Sequence, residues 1–339
     1  LTFLEGVELL LLEVVLLIPI GALLVDLIFG ELPNKLHPVV WMGKVIGFLD
    51  DHVQRKSQRH DRICGVFVSL IPILLFTLAF ILILGAIRIY GGDYGLIVWE
   101  VLSALLFSTL FAIKSLGTHT LPIMNDLKNN DIEAARKKAS MVVSRNVNEL
   151  DEAHIISCAS ETVAENLVDS VISPMFYFGI AGIPGATILR VVNTEDGMIG
   201  YLNEKHKNVG MFAAKLDDAL HYITARLSVP FIMLASALLG YDWRNAWKIA
   251  KRDHKQTSSP NKGWPMSAVA GALRIKMEKE GYYSLGDGEL QNDPEIIAKT
   301  VKLMKVTSIL FFIIVLIPLY LIIGTTVQIL LENAFFGLL

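Results

Sequence analysis

The chain reads as an all-α integral membrane protein, with about four spanning helices and two broken, re-entrant or spanning apolar segments between helical polar stretches. Two observations predict this. First, 53% of its 339 residues are hydrophobic and only 19% charged, with a mean hydropathy of +0.52, whereas a soluble globular chain carries about 25% charged residues. Second, the apolar residues collect in long runs: 63–87 and 306–331 hold no Asp, Glu, Lys or Arg. Each exceeds the roughly 20 helical residues that cross a hydrocarbon core. This composition argues against a disordered chain, a disulfide scaffold and an ordinary cytosolic enzyme. The net charge of −3 offers no basic excess, so no nucleic-acid partner is expected. Cys64 and Cys158 are the only cysteines; they read as two unpaired buried thiols, with no zinc spacing around them.

The first span covers about 7–28, around Glu8, Glu13 and Asp26, and is too long and too acidic for a signal peptide. Spans at 63–87, at 96–113 (with Glu100 as its one charge) and at 306–331 follow. Segment 171–189 is apolar but interrupted by Pro174, Gly179, Gly182, Pro184 and Gly185, and 227–241 is short and contains Pro230. Non-helical backbone at membrane depth survives only where protein or a water-filled cavity covers it. These two segments therefore either cross the bilayer or dip into it, and 171–189 is expected to line the reaction cavity. Lys and Arg concentrate in 31–62, 114–170 and 242–305, which places those segments in the cytoplasm. The whole of 1–339 is taken as one polytopic domain of the cell membrane, with its active site facing the cytoplasm. Asn130 followed by Glu133 suggests a capping box opening a helix over 131–144. Gly281–Pro294, rich in Gly, Asp and Asn, reads as a loop. No strand pattern and no internal repeat is evident.

The stretch 146–189 carries Glu149, Asp151, Glu152, Glu161, Glu165 and Asp169 without one Lys or Arg. Glu161, Glu165 and Asp169 are spaced to stack on one helical face, where like charges repel by roughly 0.2–0.5 kcal/mol per pair. Something outside the stretch must neutralise them. A solvated acidic face is the plain reading. A hard-cation site is the sharper one, because Mg²⁺ takes one or two carboxylates plus substrate phosphate. Asn193 and Asp196 follow the first broken segment, and Asp217 and Asp218 precede the second. Polar groups beside intramembrane breaks are functional candidates. Arg190 and Arg226 flank the same segments, suited either to an anionic substrate or to headgroup anchoring. His37, ahead of Pro38, is either structural or a ligand contact. Ser259–Pro265, holding Asn261 and Trp264, is a rigid polar turn. No phosphate loop of the G-x-x-x-x-G-K-[ST] type and no G-x-G-x-x-G fingerprint occurs.

These residues also form ordered motifs. Glu161-Thr-Val-Ala-Glu-Asn166 with Asp169, Ser173-Pro-Met-Phe-Tyr177, Gly182-Ile-Pro-Gly185, Arg190-Val-Val-Asn-Thr-Glu-Asp196, Ala214-Lys-Leu-Asp-Asp218, Ala225-Arg-Leu227 and Ser259-Pro-Asn-Lys-Gly-Trp-Pro265 resemble the adenosylcobinamide-phosphate synthase family of cobalamin biosynthesis (CbiB/CobD). Asp26, Gly30, Pro33 and His37-Pro-Val39 match as well, so the resemblance runs from about 26 to about 286. It implies a membrane ligase that joins (R)-1-amino-2-propanol O-phosphate, or a related amino alcohol, to the propionate carboxyl of adenosylcobyric acid. It also implies ATP as co-substrate. Glu195 stands where the family usually has an apolar residue, Gly197 where Ser is usual, Asn146 where Asp is usual, and Lys262 where a small residue is usual.

Amide formation from a carboxylate needs an activated acyl group, stabilised phosphate charge and a base for the amine. Glu161, Glu165 and Asp196 are the catalytic candidates. Glu165, Asp169, Asp217 and Asp218 are the Mg²⁺ candidates. His37, Arg145, Asn166, Arg190, Asn193, Arg226, Asn261 and Trp264 are the substrate-binding candidates. Expected partners are adenosylcobyric acid, the amino alcohol phosphate and the lipid bilayer, with a homo-oligomer or contacts to neighbouring cobamide-pathway enzymes left open. The alternative is a secondary transporter of a small anionic solute, which also uses broken intramembrane segments. A carboxylate–Mg²⁺ enzyme acting on lipid diphosphates would favour two Asp-rich motifs, and of the Asp-Asp pairs only Asp217-Asp218 stands beside a broken apolar segment.

Overall fold

A computed structural model describes residues 3–143 and 145–337, with side chains from residue 15 onward. The helices, in chain order, are α1 (Phe3–Phe29), α2 (Pro38–His52), α3 (Gln58–Tyr90), α4 (Gly95–Ser108), α5 (Ile113–Lys128), α6 (Ile132–Ala139), α7 (Glu152–Leu167), α8 (Ser173–Ile199), α9 (Met211–Leu238), α10 (Trp243–Asp253) and α11 (Gly263–Leu273). A hairpin of β1 (Lys276–Lys279) and β2 (Tyr283–Gly286) follows, then α12 (Glu295–Phe311), the single turn α13 (Ile317–Leu319) and α14 (Thr325–Phe335). π-helical turns join α7 to α8 (Val168–Ile172) and α12 to α13 (Phe312–Leu316). Pro174 and Pro318 explain both. A proline ring crowds the carbonyl four residues back, and a wider turn accommodates it.

Among the described residues, five helical stretches are long and apolar enough to cross a membrane, Gln58–Tyr90, Gly92–Lys128, Glu152–Ile199, Met211–Leu238 and Glu295–Phe335, and Val15–Phe29 is a shorter apolar helix. The protein is an all-α, multi-pass membrane protein. The two doubtful segments prove to be helical: 171–189 runs through the end of the π turn into α8, and most of 227–241 is the end of α9.

The chain divides into two compact units. One comprises Leu1–Ala112, Ser173–Leu220 and Ile313–Leu339; the other comprises Ile113–Ile172 and His221–Phe312.

In the first unit α1 packs along α4, α3 lies against α4 and α8, and α14 lies against α8 and α3. Phe107 stacks on Phe178 with ring centroids 3.7 Å apart, and Phe178 meets Tyr320 at 4.5 Å. Helix α8 breaks at Ala181 and Gly182, the latter at φ 60°. The amide of Ile183, freed by the break, donates to Gln328 Oε1 at 3.1 Å. Gln328 in turn donates to Glu332, which also accepts from Trp99 Nε1 at 3.0 Å and Arg88 Nε at 2.7 Å. A Cβ on residue 182 would stand 1.9 Å from Gln328 Oε1. The break expected to open onto a substrate cavity is thus closed by a side chain of the same unit, inside a satisfied buried network.

In the second unit α5, α7 and α12 pack together, α6 lies on α5, and α10 pairs with α11. Two expectations are corrected here. Helix α6 is capped by Asp131, whose carboxylate accepts from Ala134 N at 3.0 Å. Asn130 sits at φ 59°, so it belongs to the preceding turn rather than to a capping box, and the helix ends at Ala139. The segment read as a loop from Gly281 contains β2, paired antiparallel with β1 in the register Met277↔Leu285 and Lys279↔Tyr283. That register leaves a three-residue loop with Gly281 at φ 74°, a common hairpin geometry with glycine in the left-handed position. Met277 and Leu285, both fully buried, anchor the pair.

Candidate active site

Helix α7 starts at Asp151, whose side chain accepts from His154 N at 2.9 Å and so satisfies one of the first-turn amides. Its polar stripe of Ser157, Cys158, Glu161, Thr162, Glu165 and Asn166 repeats at helical spacing. Most of this stripe borders a polar cavity of about 150 Å³, closed by Val142, Val143 and Arg145 ahead of the helix and by Lys279 and Tyr283 of the hairpin.

Glu161 is buried and held on both oxygens. Oε1 accepts from Ser157 Oγ at 2.5 Å; Oε2 accepts from Tyr283 Oη at 2.6 Å and Arg145 Nη2 at 3.2 Å. Ser157 also receives the amide of Glu278 at 2.8 Å, which docks β1 onto α7. Arg145 donates through Nε to Cys158 Sγ at 3.3 Å and through Nη1 to the Glu278 carbonyl at 3.4 Å. Burial acts to lower the Arg145 pKa, but Glu161 and Cys158 beside it outweigh that and raise it on balance. Burial, reinforced by the Glu161 carboxylate, pushes the Tyr283 phenol far above its ordinary range. Arg145 is therefore a permanent cation and Tyr283 a permanent hydrogen-bond donor at working pH.

Glu165 is only half-buried, and Lys262 Nζ stands 2.7 Å from its Oε1. Asn166 turns back along the helix, donating to Thr162 O and accepting from Ser170 Oγ. The third acid leaves the stripe. Asp169 lies in the π turn, outside the cavity lining, with His221 Nε2 3.7 Å away. The cations that the acidic stretch lacks thus arrive from elsewhere, as Arg145 beside Glu161 and Lys262 beside Glu165.

Arg226, Asn261 and Trp264 come together in the same unit. The Arg226 guanidinium lies 3.5 Å over the Tyr222 ring and 5.5 Å from that of Trp264, and donates to Asn261 Oδ1 at 3.2 Å. Trp264 stacks on His254 at 3.8 Å. Lys262, next to Asn261, ties this turn to the cavity through Glu165.

Other candidates belong to the first unit. His37 caps α2, its Nδ1 accepting from Val39 N at 3.3 Å. Burial first, then Arg190, lowers its pKa against the opposing pull of Glu31, which suits a ring nitrogen acting as acceptor. Arg190, Asn193, Asp196 and Asp218 are half-buried and Asp217 is buried. Among the described residues no three His, Cys, Asp or Glu side chains form a group able to hold a metal ion.

The residues missed by sequence reasoning are Tyr283, Lys279, Ser157 and His221. Glu280-Gly281 between two short alternating runs is a hairpin signal and marked the first two. Ser157 and His221 carried none.

A family model described as CobD/Cbib protein matches residues 19–331. The chain belongs to the CobD/CbiB family. It is 41% identical over 290 residues to a probable cobalamin biosynthesis protein CobD from Methanothermobacter thermautotrophicus, covering 86% of this chain and 93% of that one. Identity to the cobalamin biosynthesis protein CobD of Dehalococcoides mccartyi is 38% over 273 residues, covering 80% and 87%. With a probable CobD of Thermococcus kodakarensis it is 41% over 272 residues, covering 80% and 85%. No solved structure matches the chain. Family membership agrees with the resemblance read from the motifs, several of which build the two clusters around Glu161 and Arg226.

Proposed function

We propose that this CobD/CbiB member is an ATP-dependent amide ligase of cobalamin biosynthesis in the cell membrane. It joins an amino alcohol phosphate to the propionate of adenosylcobyric acid at a site facing the cytoplasm. The observation that carries this reading is the polar cavity of about 150 Å³ in which Arg145 and Lys279 share the lining with Glu161 and Glu165. Such a cavity suits a small zwitterion, with cations for its phosphate and carboxylates for its ammonium. A corrin is far too large to enter, so its propionate would approach from the mouth.

In the reaction the γ-phosphoryl of ATP passes to a propionate oxygen and ADP leaves. The ammonium gives one proton to a base, the amine nitrogen then attacks the acyl carbon, the bond from that carbon to the phosphorylated oxygen breaks, and inorganic phosphate departs with the second nitrogen proton. Glu161, with both oxygens engaged, serves as a fixed negative charge that orients the ammonium and holds Arg145. Glu165 lines the cavity and is only partly buried, which suits it to take the proton. Arg145 and Lys279 stabilise phosphate charge. A magnesium ion carried in by a phosphate needs one or two carboxylates, and Glu165 fits that donor set; the ion would supply charge neutralisation.

The test is to give purified protein adenosylcobyric acid, amino alcohol phosphate, ATP and Mg²⁺ and detect the amide by mass. Formation that stops when ATP or the amino alcohol phosphate is omitted supports the reading. No amide, or amide formed equally without ATP, overturns it. The transporter alternative loses its chief motive, because the break in α8 is filled by Gln328.

A further inference from the structure

Four residues separate helix α10 from the end of α9, a helix long and apolar enough to span the bilayer. Leu234 and Leu238 near the end of α9 are 42% and 64% exposed, as expected of side chains that face lipid. Four extended residues reach at most about 14 Å, so α10 starts within the interfacial region. Its inner face, with Ala246, Ile249, Ala250 and Asp253, is buried, and the helix pairs with α11. Its outer face shows Trp243 and Trp247, 41% and 48% exposed and one turn apart. Arg244, Lys248 and Lys251 are exposed beside them.

The acids of this region are already engaged: Asp242 pairs with Arg274, Asp253 with Arg252, and Asp293 with Lys299. Among the described residues none forms an ion pair with Arg244, Lys248 or Lys251. Trp243, Arg244, Arg274 and Lys299 border an open groove of about 550 Å³ at the start of the helix, and the Arg244 guanidinium lies 4.9 Å over the Trp243 ring.

We propose that the outer face of α10, with the groove at its first turn, is a binding surface for the anionic phospholipid headgroups of the bilayer that holds the protein. Tryptophan settles at headgroup depth because its ring is apolar and its N–H polar. Basic residues on an amphipathic helix add attraction to anionic lipid, worth roughly fivefold in partitioning per charge. Uncompensated charge of one sign, interleaved with exposed indoles and tied within four residues to a spanning helix, is complementary to that surface. A soluble anion would be held by the charges alone and would leave the two indoles without a partner.

The experiment reconstitutes the full chain in nanodiscs of phosphatidylcholine with a minority of phosphatidylglycerol, brominating the acyl chains of one lipid at a time. The readout is the quenching of tryptophan emission that W243F/W247F removes. Quenching should be about twofold or more stronger with bromine on phosphatidylglycerol than expected from its share of the lipid. This preference should vanish in R244E/K248E/K251E and fall in K248E/K251E, whose two substitutions lie on exposed side chains that make no ion pair. Quenching by each lipid in proportion to its share, or a preference that survives charge reversal in a folded variant, overturns the proposal. So does loss of the preference on adding free glycerol phosphate, which would show that the groove takes a soluble anion.

Discussion

Tyr283 Oη donates to Glu161 Oε2 across 2.6 Å, joining the second hairpin strand to the helix that carries the cavity's carboxylates. The bond spans 122 positions of sequence and closes one wall of the candidate active site. Tyr283→Phe removes it while keeping the ring. A hydrogen bond to a charged group contributes about 1.5–3 kcal/mol, so kcat/KM for amide formation should fall roughly tenfold to a hundredfold. Steady-state kinetics beside a melting curve check this; an unchanged kcat/KM would sink the role given to Glu161.

Lys262 and Glu165 form an ion pair whose side chains are 37% and 29% exposed. Such pairs contribute little to stability, about 0–1 kcal/mol. Lys262→Ala should therefore melt almost where the wild type does, yet leave Glu165 uncompensated beside an incoming phosphate. KM for the amino alcohol phosphate is expected to rise roughly fivefold to tenfold. A large stability loss with unchanged KM would show the pair to be structural.

Gly182 is held at φ 60° against Gln328. Gly182→Ala combines a conformation that non-glycine residues avoid with a direct overlap, so it should cost at least about 2 kcal/mol. Gly182→Ala with Gln328→Ala relieves the overlap but leaves the Ile183 amide unsatisfied, and should recover only part of the loss. Full wild-type stability in the single variant, measured by denaturation in detergent, would contradict the description of this break.

Glu195 is fully buried beside the Ser69 hydroxyl, and among the described residues no cation forms an ion pair with it. Burying a carboxyl group without a charged partner is costly. Glu195→Leu, which places an apolar residue there as the family usually does, should raise stability by about 1–4 kcal/mol. A destabilised or inactive Glu195→Leu protein would show that the carboxyl is used.

Asp253 is 1% exposed. Burial acts to raise its pKa, but the Arg252 guanidinium, the Gly286 amide and Gln256 outweigh burial and hold the carboxyl below the usual range. Its stabilising contribution is therefore complete above the unfolded value of about 3.9 and is lost as pH falls through the lower folded value. Amide-exchange protection of the strand around Gly286 should be flat near neutrality and decline below about pH 4. Asp253→Asn should remove that acid-side decline; an unaltered profile would place the titration elsewhere.

The class of this protein was legible because membrane crossing is a one-dimensional requirement. Apolar runs such as 63–87 and 306–331 must be long enough whatever they pack against, so composition alone declares them. The start of α6 was legible to within a residue, with its cap at Asp131 rather than Asn130, but the helix ends at Ala139, short of the expected boundary. Spacing also put Glu161 and Glu165 on one face. The partners of those carboxylates were not legible, because periodicity within a helix carries no information about which distant segment folds against it. Arg145, Lys262 and Tyr283 lie 16, about 97 and 122 positions from the acids they meet. A short strand hidden in a Gly- and Asp-rich stretch brought the last of them. Similarly, Gly182 and Pro184 announced a break in α8, but only the packing of α14 decided that Gln328, and not a ligand, fills it.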